Sequence, residues 1–198
     1  MIRHPAIVVL AADQPGMPTG AAREPAPAAG FERALGLTIG HAIETGWPVA
    51  VVVTPGLVPL VSAWIATRDL VVLSEDEAAR GLGQAIAAGV SAMADADGWL
   101  VLPGGMSRVQ PTSMLAVGRA LAESPVAYAQ YGGRQGHPIG FASELFSELI
   151  ALTGEGGARR LLARYPASGV EVDDPAVLAD EGPAEGDAAP APSAAGAS

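Results

Sequence analysis

Gly98-Trp-Leu-Val-Leu-Pro-Gly-Gly-Met106 is the stretch whose reading decides the fold. From Trp99 to Leu102 the residues are all apolar, without polar alternation. That is the pattern of a strand covered on both faces in a parallel or mixed α/β sheet. Pro103 ends its ladder. Gly104 and Gly105 then stand without side chains at the carboxyl end of the strand, where open α/β sheets bind ligands. A glycine pair leaves room for a ligand but supplies neither a base nor a metal ligand.

Outward from this strand the chain alternates. Residues 6–12 read as a first buried strand, Phe31 to Thr45 as a helix with Leu35, Ile39, Ala42 and Ile43 on one stripe, and Val49 to Val53 as a second strand. A short helix over 57–67 and a strand over 70–73 near the sheet edge follow, and Ser74-Glu-Asp-Glu77 reads as a solvated acidic turn. Gly81-Leu-Gly-Gln84 leads into a helix over about 84–94, offering backbone N–H groups at its start. Beyond the central strand come a helix over 112–122, a strand over 126–130, helices over 143–152 and 158–165, and an edge strand over 169–173, after which Val177 and Leu178 can dock. Strand, helix, strand at this spacing predicts βαβ units and a mostly parallel sheet.

Two loops stand out. Residues 13–30 hold too many Pro and Gly residues for a helix or strand and exceed the usual α/β connection, so they read either as a functional loop or as a surface insertion. Tyr131-Gly-Gly-Arg-Gln-Gly-His-Pro138 is the densest polar cluster; it reads either as a hairpin turn or as the lining of an anion site, with Arg134 able to make a two-pronged contact. His41 reads as a packed or helix-surface histidine.

Composition narrows the function. The 198 residues suit one domain, and 49% hydrophobic content supplies the core. A formal charge of -10 disfavours nucleic acid and anionic membranes as partners, though not a nucleotide in a local pocket. The chain has no cysteine, which removes thiolate chemistry and is consistent with a cytoplasmic protein. No signal peptide or membrane span is expected. His4, His41 and His137 have no metal-ligand spacing, and neither a Gly-x-Ser-x-Gly elbow, a Gly-x-Gly-x-x-Gly fingerprint nor a Walker loop is present.

Taken in order, the motifs resemble the MobA-like nucleotidyltransferases, in particular the molybdenum cofactor cytidylyltransferase branch. The likeness covers about residues 6–180 and is strongest in Gly133-Arg-Gln-Gly-His-Pro138, Phe141, Leu145-Phe146, Gly154-Glu-Gly-Gly-Ala-Arg159 and Val172-Asp-Asp-Pro175. It implies a three-layer αβα, Rossmann-like fold of the nucleotide-diphospho-sugar-transferase type over residues 1–180, with 181–198 a disordered Ala/Pro/Gly/acid-rich tail. It further implies transfer of a nucleotidyl group from CTP or another NTP, with Mg²⁺, to the phosphate of a molybdopterin-type cofactor. A molybdoenzyme or its maturation factor is the implied protein partner. By resemblance Ala11, Ala12, Gly16, Gly20, Arg23, Gly81 and Gln84 contact the nucleotide, and Arg134, His137 and Arg159 lie on the acceptor side.

The departures are concentrated where phosphates must be neutralised. Asp13 replaces a family glycine, the first loop lacks its arginine, and Arg23 is only a loose substitute for its lysine. Gly105 stands where the family's Leu-Ala-Asp-Met-Pro places the metal-binding aspartate, and Asp180-Glu-Gly-Pro183 only partly matches the family's final Asp-Thr-Pro. Two readings stay open: a transferase with Asp13 recruited as metal ligand, or a non-catalytic member that binds a pterin cofactor, a nucleotide or a partner protein.

Overall fold

The computed structural model describes residues 4–12, 29–154 and 156–178. Seven strands form one mixed sheet in the order β3-β2-β1-β4-β6-β5-β7. They are β1 (Ala6–Leu10), β2 (Val49–Val53), β3 (Leu70–Val72), β4 (Gly98–Pro103), β5 (Val126–Tyr131), β6 (Arg134–Ala142) and β7 (Ala167–Glu171). All run in one direction except β6, which is antiparallel to both β4 and β5. The carboxyl ends of the other six therefore share one edge of the sheet, and β6 starts from that edge.

Both faces of the central strands are buried, which explains their unbroken apolar sequence. Ile7 and Val9 of β1, Val51 and Val53 of β2, and Leu100 and Leu102 of β4 face one core; Val8, Leu10, Val52, Trp99 and Val101 face the other. Helices α1 (Ala29–Glu44), α2 (Val58–Val61) and α5 (Pro111–Ala120) cover the first face through Leu35, Ile39, Ala42, Val61, Met114 and Val117. Helices α4 (Leu82–Ala92), α6 (Phe146–Ile150) and α7 (Gly157–Arg164) cover the second through Ile86, Val90, Leu149 and Leu161. This is the three-layer αβα, Rossmann-like architecture expected from the alternating pattern. At Gly89 a Cβ would collide with Val8 and come within 3.0 Å of Val52 Cγ2, so the missing side chain lets α4 lie close on the sheet.

Local differences have identifiable causes. Ser74-Glu-Asp-Glu77 is not a bare turn. Ser74 caps the four-residue helix α3 (Glu75–Ala78) in a capping box, accepting the Glu77 N–H while the Glu77 carboxylate accepts the Ser74 N–H at 2.9 Å. The expected helix over 57–67 breaks into a 3₁₀ turn, α2 and a second 3₁₀ turn at Thr67–Asp69. Residues 143–152 form a 3₁₀ turn leading into the shorter α6. The 131–138 segment is a hairpin: Gly132 and Gly133 turn at φ 57 and 76, and β6 starts at Arg134. Strands β3 and β7 are the sheet edges, as read from the sequence. Val177 is fully buried, so the segment after β7 does dock. The 181–198 tail lies outside the described residues, and no described helix is long and apolar enough to cross a membrane.

Candidate functional site

The turn that follows β4 is at the centre of the carboxyl edge. The Gly104 N–H donates to Leu10 O at 2.8 Å, while the buried Thr38 hydroxyl of α1 donates to Gly104 O at 2.8 Å and to Ala34 O at 3.0 Å. A Cβ on Gly104 would meet Leu35 Cδ1 at 2.9 Å and Leu10 O at 3.0 Å, so only glycine fits between α1 and β1. Met106 then turns into the core at 2% exposure, and Gly105 is buried. His41 is a tether: its Nδ1 lies 3.0 Å from Val109 O, and since a carbonyl can only accept, the imidazole donates there.

The hairpin of β5 and β6 rises beside this turn. Val101 and Ile139 are the last matched pair of β4 and β6, and beyond it β6 shifts register against β5 between Tyr128 and Gln130. Arg134 pairs with Tyr131 where β6 leaves the turn. It is exposed at the hairpin tip and makes no ion pair among the described residues, whereas His137 is half-buried. The Glu171 carboxylate fixes the tip by accepting from Gln130 Nε2 at 2.8 Å, the Gly132 N–H at 2.6 Å and the Gly133 N–H at 3.4 Å. The Gln130 bond, followed by that of Gly132, holds the Glu171 carboxyl below its ordinary value.

Behind the hairpin lies the segment that carries Asp173-Asp174-Pro175. Val172 N–H donates to Gln130 O at 2.9 Å, and a 3₁₀ turn over Pro175–Leu178 packs its Val177 carbonyl against Gly136, where any Cβ would collide. Asp174, 6% exposed, accepts through Oδ2 from the Gln110 N–H at 2.9 Å and the Ser113 hydroxyl at 2.7 Å, and through Oδ1 from the Ala176 N–H at 3.1 Å. It thereby caps α5 from a distant part of the chain.

The residues expected to form the site fall into two groups. Arg134 and His137 lie on β6, whose Gly136 packs against the 172–178 segment. Gly81 and Gln84 stand at the start of α4, where the Gly83 N–H donates to Gly154 O at 3.0 Å, and Arg159 is exposed on α7. Part of the backbone thought free at Gly81–Gln84 is thus already bonded within the protein. Ala11 is buried with its N–H donating to Val52 O at 2.9 Å, and Ala12 is half-buried beside it. Asp13, Gly16, Gly20 and Arg23 lie outside the described residues. Thr38 and Glu171 carry no local motif, and Asp174, although it lies in the Val172-Asp-Asp-Pro175 motif, was not read as a structural residue, because the partners that define these roles are 66, 39 and 64 positions away.

A family model for the MobA-like NTP transferase domain matches residues 33–170. The chain belongs to this family. Among solved structures, Rv0371c from Mycobacterium tuberculosis H37Rv is 23% identical at a TM-score of 0.65, with 87% of this chain and 89% of that one covered. The same protein in complex with manganese gives 22% identity and a TM-score of 0.63 over 87% and 89% of the two chains. The 4-diphosphocytidyl-2C-methyl-D-erythritol synthase of Anaerococcus prevotii is 8% identical at a TM-score of 0.61, covering 89% of each chain. At these identities the likeness is one of fold. No curated protein matches the sequence.

The described residues at the edge of this MobA-like domain do not fit a divalent cation. Among the described residues no three His, Asp or Glu side chains come together as a metal site. The β4 end carries no carboxylate. The carboxylates of Glu171 and Asp174 each face three hydrogen-bond donors, whose protons oppose a cation. A cavity of about 490 Å³ lined by Trp47, Trp64 and Met93 lies at the opposite edge, beside the start of β2.

Proposed function

We propose that this MobA-like domain binds a phosphorylated small molecule, a nucleotide or a pterin-type cofactor, at the carboxyl edge of its sheet without ordinary Mg²⁺-dependent nucleotidyl transfer. The observation behind this reading is the Pro103-Gly104-Gly105-Met106 turn, which is closed against α1 and β1 and has no carboxylate. Nucleotidyl transfer depends on neutralising charge that develops around the transferred phosphorus, and a bound cation is the usual means. Arg134 and His137 on the hairpin, with Arg159 on α7, retain groups suited to an acceptor's phosphate.

A second reading is favoured by family membership itself: transfer from CTP or another NTP to the phosphate of a molybdopterin-type cofactor, with Asp13 recruited as metal ligand. Under either reading the domain spans residues 1–180 and works in the cytoplasm, and a molybdoenzyme or its maturation factor would be the protein that receives the cofactor.

Pyrophosphate release from CTP and from ATP, with Mg²⁺ and a phosphorylated pterin acceptor, separates the two. The non-catalytic reading expects none from the parent and a gain in Gly105→Asp. Turnover by the parent protein would establish the transferase instead.

A further inference from the structure

We infer that the outer face of α1 is a self-association surface, on which two copies of this chain pair antiparallel about a two-fold axis at the level of Thr38 and Ile39. The inference uses no residue of the carboxyl edge and is independent of what that edge binds.

The helix turns Leu35, Thr38, Ile39 and Ala42 into the protein, all of them buried. On the opposite side stand Arg33, Leu37, Gly40 and Glu44, spaced four, three and four residues apart and so on one face. The outer face of a surface helix is normally polar. Here Leu37 is 47% exposed at its centre, and Ile43 is 45% exposed on the flank. Trp64 extends the same side: its ring lies against Gly36, and with Ile43 it lines the cavity beside β2. Of the five large hydrophobic side chains exposed among the described residues, three therefore lie along α1, which makes a patch rather than a scatter.

Gly40 is an independent observation. Glycine weakens a helix interior relative to alanine, so its presence there calls for a reason. At Gly36 the reason is internal, because a Cβ would come within 2.9 Å of the Trp64 ring. At Gly40 a Cβ would meet nothing within 4 Å, and no contact inside the chain requires glycine. The result is a notch in the outer face, one turn from Leu37.

A second α1 laid antiparallel fills that notch. When Leu37 faces Gly40 of the second copy, the two-fold axis sets Gly40 against the second copy's Leu37, as a self-complementary interface demands. The same register places Arg33 opposite Glu44 of the second copy, and Glu44 opposite its Arg33. Opposite charges thus close both ends, whereas parallel pairing would set like charges together. Neither Arg33 nor Glu44 makes an ion pair among the described residues, so both are available. The face itself is neutral, and the repulsion between two chains of formal charge -10 is screened beyond about 8 Å at about 0.15 M salt. With 16 residues α1 is about 24 Å long, a small interface that suits a dimer of micromolar affinity.

Sedimentation velocity of the full chain in about 0.15 M salt, from about 1 to 300 μM, tests this. The parent should pass from monomer to dimer with a Kd of about 1–100 μM. Leu37→Glu should weaken the dimer at least about tenfold, by placing a charge against the notch. Arg33→Glu and Glu44→Arg, each alone, should weaken it about fivefold or more, because each sets like charges face to face twice. Two combinations should bring affinity back to within about threefold of the parent: the double variant Arg33→Glu/Glu44→Arg, and an equimolar mixture of the two single variants. Arg33, Leu37 and Glu44 are all exposed, so none of these changes threatens folding. A parent that stays monomeric at about 300 μM overturns the inference and leaves the face to an occupant other than a second copy. A dimer indifferent to Leu37→Glu, or charge variants that do not weaken it or that neither combination restores, overturns it as well by assigning the contact to another face.

Discussion

Replacing Asp174 with alanine should be among the most damaging single changes to the carboxyl edge, and its cost can be worked from three bonds. Oδ2 takes the Gln110 N–H at 2.9 Å and the Ser113 hydroxyl at 2.7 Å, and Oδ1 takes the Ala176 N–H at 3.1 Å. Ser113 is 3% exposed, so its hydroxyl has little access to water when the carboxylate is removed. A buried donor left without a partner costs about 1–3 kcal/mol. The Ala176 N–H is half-exposed and can turn to solvent at small cost. Counting the Ser113 hydroxyl fully and the Gln110 N–H in part gives a loss of about 2–4 kcal/mol. Urea unfolding should show this as a midpoint lowered by about 1–2 M at unchanged slope, for slopes of about 2 kcal/mol/M. Asp174→Asn keeps an acceptor for Gln110 and Ser113 but turns an amide N–H₂ toward Ala176, so it should cost about half as much. In the Ser113→Ala background Asp174→Ala should cost less than in the parent, because one orphaned donor has been removed. A loss below about 0.5 kcal/mol for Asp174→Ala, or equal losses for Ala and Asn, would show that these hydrogen bonds do not hold the segment.

Gly136→Ala should cost about 1–3 kcal/mol and loosen the Pro175–Leu178 turn, because its Cβ has no room beside the Val177 carbonyl; unchanged unfolding and an unchanged Val177 methyl shift by NMR would contradict this. Thr38→Val keeps the shape but removes the donor to Gly104 O, so a loss of about 1 kcal/mol is expected in the same unfolding assay, and a neutral result would count against the tether. Glu171 has a lowered folded-state pKa, chiefly through Gln130 and then Gly132, so its contribution is present above the unfolded-state value and is lost as pH falls through the folded one. The amide shifts of Gly132 and Gly133 should therefore titrate with a midpoint below the ordinary glutamate value of 4.5, and Glu171→Gln should abolish the step; a midpoint at or above 4.5 is the contrary result. Tyr165 donates its hydroxyl to Glu148 at 2.9 Å, which raises its pKa, with burial adding to the effect. Its stabilising share should persist below the unfolded-state value near 10 and fade as pH rises through the folded one; in ultraviolet titration, Tyr165→Phe should remove a tyrosine that ionises above 10, and loss of one that ionises at or below 10 would refute the assignment.

What the sequence determined by itself is the layered sheet. Ile7-Val-Val-Leu10, Val49–Val53 and Trp99–Leu102 are apolar at every position, and only a strand covered on both faces buries all of those side chains. Helical spacing of Leu35, Ile39 and Ala42 identified one covering layer in the same way. Ser74-Glu-Asp-Glu77, read as a solvated acidic turn, carries the Ser-x-x-Glu spacing of a capping box, which the fold uses to start a four-residue helix. The sequence order of the glycine and Arg-His motifs carried the family as well, since each motif is local.

Only the tertiary structure decided what the acids at the carboxyl edge do. From the chain alone, Glu171 and Asp174 are two carboxylates near the end of a strand, equally suited to a cation or to solvent. Folding brings them, the neighbouring Ala176 N–H apart, to donors 38 to 64 positions away, and those hydrogen bonds turn potential metal ligands into fasteners for a hairpin and a helix start. The role of Gly136 was hidden for the same reason: space is a property of the neighbours, and its nearest neighbour is Val177. A residue pattern records what a side chain can bond to; which partner it meets depends on chain closure over dozens of residues.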